Sequence, residues 1–323
     1  MKLKLSVFLG NAGSCSDRFC SAYDRPYSTE ELFERIASVD GLTGVDLVGT
    51  DDILDNLDEV KTCLKRTGLS VVSIVPDLFS RAEYRQGTYS SIDRAVRRDA
   101  IAHTKRVIDA AVELGCSLVA PWPGQDGYDY LFQTDYETER TLFEEAIKEL
   151  CDYNKDIRIG LEYKPKEPRN RCYASTAAVT LLMLLQTGAS NCGVVLDYGH
   201  ALYAYENPAE VVAMLHKYGD RLLHIHINDN YRYWDDDMIT GSVHTLEYLE
   251  FFYWLKRTNY SGWITIDQFP YREDGRDAIA ESAAWLTKFH EIIEKADAGE
   301  IETVLKKKDA TFSSKLMRRL LFG

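Results

Sequence analysis

The stretch His226-Ile227-Asn228-Asp229-Asn230-Tyr231-Arg232-Tyr233-Trp234-Asp235-Asp236-Asp237 sets a histidine on an apolar run and follows it with three consecutive carboxylates. Such a cluster repels itself unless cations hold it together, so its composition is that of half a divalent-metal site. Three other short apolar runs end in comparable groups: Ile159-Gly160-Leu161-Glu162-Tyr163-Lys164, Gly193-Val194-Val195-Leu196-Asp197-Tyr198-Gly199-His200 and Trp263-Ile264-Thr265-Ile266-Asp267-Gln268. If each run is a strand, period-two alternation puts Glu162 and Lys164 on one face, Val195 with Asp197, His224 with His226, and Thr265 with Asp267. Four neighbouring strands then deliver Glu162, Asp197, His226 and Asp267 to one end. A lone buried carboxylate is usually a structural ion pair, but four converging groups carry too much unpaired charge to be buried without a metal.

Three carboxylates and a single imidazole suit Mn²⁺, Mg²⁺ or Co²⁺ better than a structural Zn²⁺, and Mn²⁺ is the expected ion. Asp197, His200, Asp235 and Asp237 have the composition of a second divalent site, for which the plainer reading is a solvated acidic loop beside a core histidine. His224 lies one layer deeper than His226 and reads as a hydrogen-bonded core group or a support behind the ligands rather than a ligand itself. Lys164 is either a counter-ion or a donor to a substrate carbonyl oxygen, where it would stabilise developing charge. Trp122 is a rim aromatic or a surface for the apolar face of a sugar, Arg232 an anchor for a hydroxyl, and Glu167 an organiser of the loop Lys164 to Arg169. His103, His216, His244 and His290 carry no signal.

The elements needed to position these groups run the length of the chain. Candidate strands are 3–9, 44–49, 70–75, 117–122, 158–163, 193–198, 222–228 and 263–268. Between them lie helix signals: a capping box at Ser28-Thr29-Glu30-Glu31, a long periodic run over 92–114, a cap and first turn at Asn207-Pro208, and a run over 246–257. Eight strand–helix units predict a (β/α)8 TIM barrel over residues 1–297, with an open doubly wound sheet as the structural alternative. Residues 298–323 form a basic tail with Leu316, Met317, Leu320, Leu321 and Phe322 as an apolar stripe, read either as a solvated end or as an arm docked on its own barrel or on a neighbouring subunit.

Bulk properties narrow the partners. A net charge of -13 argues against a nucleic-acid partner, since such proteins neutralise phosphates with clustered Lys and Arg. No apolar run reaches membrane-spanning length. Residues 1–10 only loosely mimic a signal peptide and read as a first strand, and seven cysteines without CxxC spacing suit reduced thiols, so the expected location is cytoplasmic. A phosphate loop of the GxGxxG or GxxxxGK[ST] type is absent, and the loop after the seventh strand is acidic, so the expected partner is a small non-phosphorylated sugar. The chain is expected to be a homo-oligomer, a dimer or tetramer.

The segment Glu162-Tyr163-Lys164-Pro165-Lys166-Glu167-Pro168-Arg169 resembles the E-x-K-P-x-E-P segment of xylose isomerases and of the related bacterial L-rhamnose isomerases. Leu196-Asp197-Tyr198-Gly199-His200 resembles the D-x-G-H segment of the rhamnose enzymes, and His226-Ile227-Asn228-Asp229 with Asp235-Asp236-Asp237 resembles their H-x-N-D...D-D-D segment. Trp122-Pro123-Gly124-Gln125-Asp126-Gly127 is similar to the W-x-G-x-x-G loop of xylose isomerases. The resemblance covers strands four to eight. It implies a xylose isomerase-like TIM barrel that interconverts an aldose and a ketose with two divalent ions by a 1,2-hydride shift. The first ion would be held by Glu162, Asp197, His226 and Asp267, the second by Asp197, His200, Asp235 and Asp237, with Lys164 polarising the carbonyl and Glu162 and Asp267 taking part in the chemistry.

The chain departs from that pattern twice. Xylose isomerases carry a ring-opening histidine after strand three, where this chain offers only Asp77, and the first loop, 11–27, matches nothing assignable. The competing expectation is the single-metal ketose 3-epimerase branch of the same fold, in which His200 and Arg232 would bind substrate and two carboxylates would shuttle a proton. The endonuclease relatives of this barrel are disfavoured by the acidic composition and the small number of histidines. A non-catalytic sugar-binding barrel would require that no metal binds.

Overall fold

Alternation of short β-branched strands with amphipathic helices closes the chain into a barrel. A computed structural model describes residues 2–323; Met1, part of the stretch read as the first strand, lies outside them. The strands are β1 (Leu5–Phe8), β2 (Leu42–Gly49), β3 (Ser70–Pro76), β4 (Leu118–Val119), β5 (Arg158–Glu162), β6 (Cys192–Asp197), β7 (Leu222–Ile227) and β8 (Ile264–Ile266). Each pairs in parallel with its neighbours, and β1 pairs with β8 to close the wall. All eight expected strands are present, though β4 and β8 are shorter than their apolar runs. Backbone hydrogen bonds to neighbouring strands continue past these ends, through Ala120 to Ile74 and Asp267 to Ile227, and the residues that follow or end the runs, Trp122 and Asp267, line the barrel mouth.

The helices form where the local signals place them. Ser28 caps Thr29–Ala37 in a reciprocal box with Glu31, Asp93 caps Arg94–Glu113, and Asn207 caps Pro208–Lys217 with Pro208 in the first turn. Their buried faces, for instance Ile101, Val107, Ile108 and Ala111, pack on strand residues such as Ile74 and Val119 in one continuous apolar core. All seven cysteines are free thiols. Among the described residues no helix is long and apolar enough to cross a membrane.

The tail forms two helices, Ala298–Lys307 and Ala310–Phe322. Leu316 and Leu320 pack against the barrel's apolar core, so of the readings open from the sequence the structure shows an arm on its own barrel.

Candidate active site

Strand register decides which side chains meet. Asp197 pairs with His226 across β6 and β7, His226 pairs with Thr265 across β7 and β8, and Glu162 pairs with Val195 across β5 and β6. Every second residue faces inward, so Glu162, Asp197 and His226 reach the barrel mouth together, and Asp267, two residues past Thr265, joins them. Ligand-capable atoms of these four residues all lie within 4.8 Å of one another.

The geometry around them has the character of a cation site. His226 is fully buried, and neither ring nitrogen makes a hydrogen bond. Its Nδ1 lies 3.2 Å from Glu162 Oε1 and 3.8 Å from Asp267 Oδ2. Burial alone would lower the imidazole pKa, but Glu162 and Asp267 outweigh it and push His226 up to about 10. Burial lifts Asp267 to about 7, whereas His226 outweighs burial at Glu162 and holds that carboxyl below its ordinary value. Without a cation, then, the cluster draws protons to itself, as an acidic donor set built for a divalent ion does. The orphaned imidazole and the three carboxylates fit such an ion.

Polar neighbours fix these donors. Asp197 accepts the His200 backbone N–H at 2.7 Å and the Asn228 amide at 3.1 Å. Asn228 can reach it only because residue 199 is glycine; a Cβ there would lie 1.9 Å from Asn228 Oδ1. That is the physical reason for the third position of Asp197-Tyr198-Gly199-His200. Beneath His226, buried His224 makes hydrogen bonds through Nε2 to Asp46 (3.1 Å) and Thr265 (2.7 Å), and Ser73 donates to Asp46. His224 is hydrogen-bonded in the core as expected, but it meets His226 only by a ring edge at 5.1 Å, and with Asp46 and His226 its ligand atoms also lie close enough to share an ion. Asp46, its fully buried anchor, escaped the sequence reading although a carboxylate inside the apolar run Val45-Asp46-Leu47-Val48 was the available signal.

The expected second cluster assembles only in part. Asp197, His200 and Asp235 lie close enough to share an ion, but Asp237 is not in that group. His200 already uses both nitrogens, Nδ1 with the Tyr163 carbonyl at 2.8 Å and Nε2 with Asp235 at 3.0 Å. The Lys164 ammonium sits 2.8 Å from Asp235 and 2.6 Å from Glu167. Burial would lower the pKa of Lys164, yet Asp235, Glu167 and Asp237 hold it charged. A lysine cation thus already balances Asp235.

Of these groups Glu162, Lys164, Glu167, His200, Asp235, Asp237 and Asp267 line a cavity of about 620 Å³, whereas Asp197 and His226 are not among its lining residues; Phe8, Val48, Val75, Phe79 and Trp122 form one side, and Trp234, Phe269 and Tyr271 also border it. The Trp122 ring stands 5.0 Å from Phe79 and 5.1 Å from Lys164 Nζ, and its indole N–H is buried without a partner. The unassigned first loop contributes Asn11, whose amide lies 3.4 Å from Asp267 Oδ1, together with Ser14, Cys15 and Ser16. Two expected substrate groups are elsewhere. Asp77 accepts the Ser80 backbone N–H at 3.1 Å and the Ser80 hydroxyl, closing its own turn, and is not among the cavity residues. Arg232, at φ 69°, turns its guanidinium to His244 (2.9 Å) and Glu247 (3.5 Å), away from the cavity wall. Glu167 does organise its loop, through Lys164, and also lines the cavity.

A family model described as xylose isomerase-like TIM barrel matches residues 33–289. Among solved structures the chain is similar to the 3-keto-D-glucoside 4-epimerase of E. coli, at 20% identity and a TM-score of 0.69 over 88% of this chain and 99% of that one. A D-tagatose 3-epimerase-like protein is 23% identical, with a TM-score of 0.70 over 91% and 99%. An L-ribulose 3-epimerase is 16% identical, with a TM-score of 0.72 over 91% and 96%. At these identities the likeness is one of fold.

Proposed function

Because the chain belongs to the xylose isomerase-like TIM-barrel family, we propose that it is a metal-dependent epimerase that inverts a hydroxyl-bearing carbon beside the keto group of a non-phosphorylated sugar. The observation that carries this reading is the pairing of Glu162 and Asp267. Both approach one point beside His226, yet they come from β5 and β8, three strands apart around the wall. Two carboxylates so placed reach a bound carbon from different sides, which inversion requires. The named structural relatives point the same way: a 3-epimerase of a 2-ketose and a 4-epimerase of a 3-keto sugar both act on a carbon adjoining a ketone.

Glu162, Asp197, His226 and Asp267 would hold one divalent ion, with manganese the best match to the donor set. Bound there, the ion would supply the positive charge that draws electron density onto the substrate's carbonyl oxygen. One carboxylate takes the proton from the adjoining carbon, the C–H electron pair enters the carbon–carbon bond, and the carbonyl π pair moves to oxygen. The other carboxylic acid then returns a proton to the opposite face, so nothing is oxidised or reduced. The Lys164 ammonium, which has three N–H groups and two carboxylate partners, is a donor for sugar oxygens, and His200, locked between Tyr163 and Asp235, holds Asp235 in place. Trp122 covers the apolar face. Among the described residues Lys164 is the only lysine or arginine lining this cavity and is already shared by two carboxylates, which leaves no cluster for a phosphate.

The aldose–ketose isomerase expected from the motifs is the second reading, favoured by the reach of Lys164 into the cavity. Its two-ion form is weakened because Lys164 already neutralises Asp235. Turnover of a ketose panel with Mn²⁺ in deuterium oxide separates the two. Epimerisation should place solvent deuterium on the inverted carbon, whereas product without label would require a hydride shift and sink the epimerase reading.

A further inference from the structure

The cavity that holds the carboxylates does not end with them. Glu167, Trp234, Asp235, Asp237, Phe269 and Tyr271 are also the near wall of a second, outer groove of about 1040 Å³. The inner space of about 620 Å³ is by itself of the size that encloses a whole small ligand, roughly 300–1,000 Å³, so a single sugar ring has no use for the outer one. The outer groove is continuous with the reacting site and larger than it. Something attached to the reacting sugar would fill it.

Its chemistry narrows what that is. Aromatic faces line it, and two of them are unusually bare: Phe19 is 90% exposed and Trp234 50%. Asp17, Asp236 and Glu273 add carboxylates, against Arg18 and Arg272. The Arg272 guanidinium lies 5.3 Å from the Tyr23 ring and Arg18 6.0 Å from the Phe19 ring, so neither forms a paired anion clamp. Bare rings interleaved with hydrogen-bond acceptors match a neutral sugar, whose C–H face stacks on aromatics while its hydroxyls donate to carboxylates. A phosphate or carboxylate appendage would meet net negative charge. We propose that the substrate is a keto sugar carrying a second, neutral glycosyl ring, with the keto ring in the inner cavity and the second ring in the outer groove. This rests on the epimerase reading and specifies its substrate class.

The test uses the Mn²⁺-loaded full chain and two matched pairs: D-fructose against isomaltulose, and methyl 3-keto-α-D-glucoside against 3-ketosucrose. In at least one pair the disaccharide should show a kcat/KM about tenfold or more above its monosaccharide, and Phe19→Ala should shrink that ratio about fivefold. Monosaccharides at least as good as disaccharides in both pairs would overturn the proposal, as would a Phe19→Ala variant that lowers both alike. Should no ketose turn over at all, the epimerase reading falls, and calorimetric titration with the same pairs then decides the subsite alone. Tighter binding of a disaccharide supports it, and equal or weaker binding overturns it. Sedimentation showing a dimer that Phe19→Ala dissociates would assign the bare rings to a second copy of the chain and also overturn it.

Discussion

The two halves of the barrel wall face the same cavity with opposite chemistry. From β1 to β4 and the loops that follow come Phe8, Val48, Val75, Phe79 and Trp122; from β5 to β8 come all the charged groups, Glu162, Lys164, Glu167, His200, Asp235, Asp237 and Asp267, with Trp234, Phe269 and Tyr271 from their loops. Asn11, Ser14 and Ser16 are the polar intrusions on the apolar side, and Asn11 leans toward Asp267 at the seam where β1 meets β8. Packing a charged face against a dry one strengthens every interaction the charges make, because field lines run through material of low dielectric. The Phe8 ring, 5.0 Å from the His226 ring, is where the two faces touch. A molecule with hydroxyls on one side and C–H bonds on the other fits between them. Chemistry should therefore be lost by damage to the charged half, and binding by damage to the apolar half.

The largest expected effect follows from the charged half. Glu162→Gln and Asp267→Asn each remove one proton carrier and one ion ligand, and kcat should fall about a thousandfold or more. Both should also blunt the rise in melting temperature that Mn²⁺ gives the unmodified protein, since an ion that binds only the folded state stabilises it by mass action. A loss below about tenfold in either variant would mean that the carboxylates serve structure, and the contrast between the halves would lose its meaning.

A smaller effect is expected on the apolar side. Trp122→Ala removes the ring that packs on Phe79 and flanks Lys164, and should raise KM about tenfold while kcat changes by no more than about threefold. Trp122→Phe, which keeps a ring face but loses the unpartnered indole N–H, separates stacking from hydrogen bonding. If kcat falls as steeply as in the carboxylate variants, Trp122 acts by placing Lys164, and the division between a binding face and a reacting face fails at that point.

The same contrast explains how much was legible in the sequence. The eight strands and the convergence of Glu162, Asp197, His226 and Asp267 were readable because inward parity along a strand is local, and a carboxylate in an apolar run stands out by type. The dry wall was not, since Phe8, Val48 and Val75 look like any core residue until barrel closure shows that they border a cavity. Loops hid the rest. Asp77 is spent on the turn to Ser80, and Asp237, with φ 46°, leaves the alternation that would have aligned it with Asp235. Parity says nothing once the backbone turns into the left-handed region.

Arg232 provides the smallest expected effect and the sharpest check on that last point. It follows His226 by six residues, at the start of the acidic loop, and by position alone it is a substrate anchor. The local backbone sends it elsewhere. Asn230 Oδ1 accepts the Arg232 N–H at 2.8 Å, turning the chain, and the guanidinium then meets His244, itself held by Asp229 at 2.7 Å. Asp229 also caps the approach to the helix Thr245–Arg257 by accepting the Val243 and His244 N–H groups. Arg232 therefore belongs to a bracket between the loop and the outer helix layer, where a partly exposed polar contact contributes about 0.5–1.5 kcal/mol. Arg232→Ala should lower stability by that order in chemical denaturation and change kcat/KM by less than about twofold. A drop beyond about tenfold at unchanged stability would mean that the side chain leaves His244 to meet the substrate. The charged half would then extend to the loop after β7, with a cation that the unliganded geometry keeps outside the cavity.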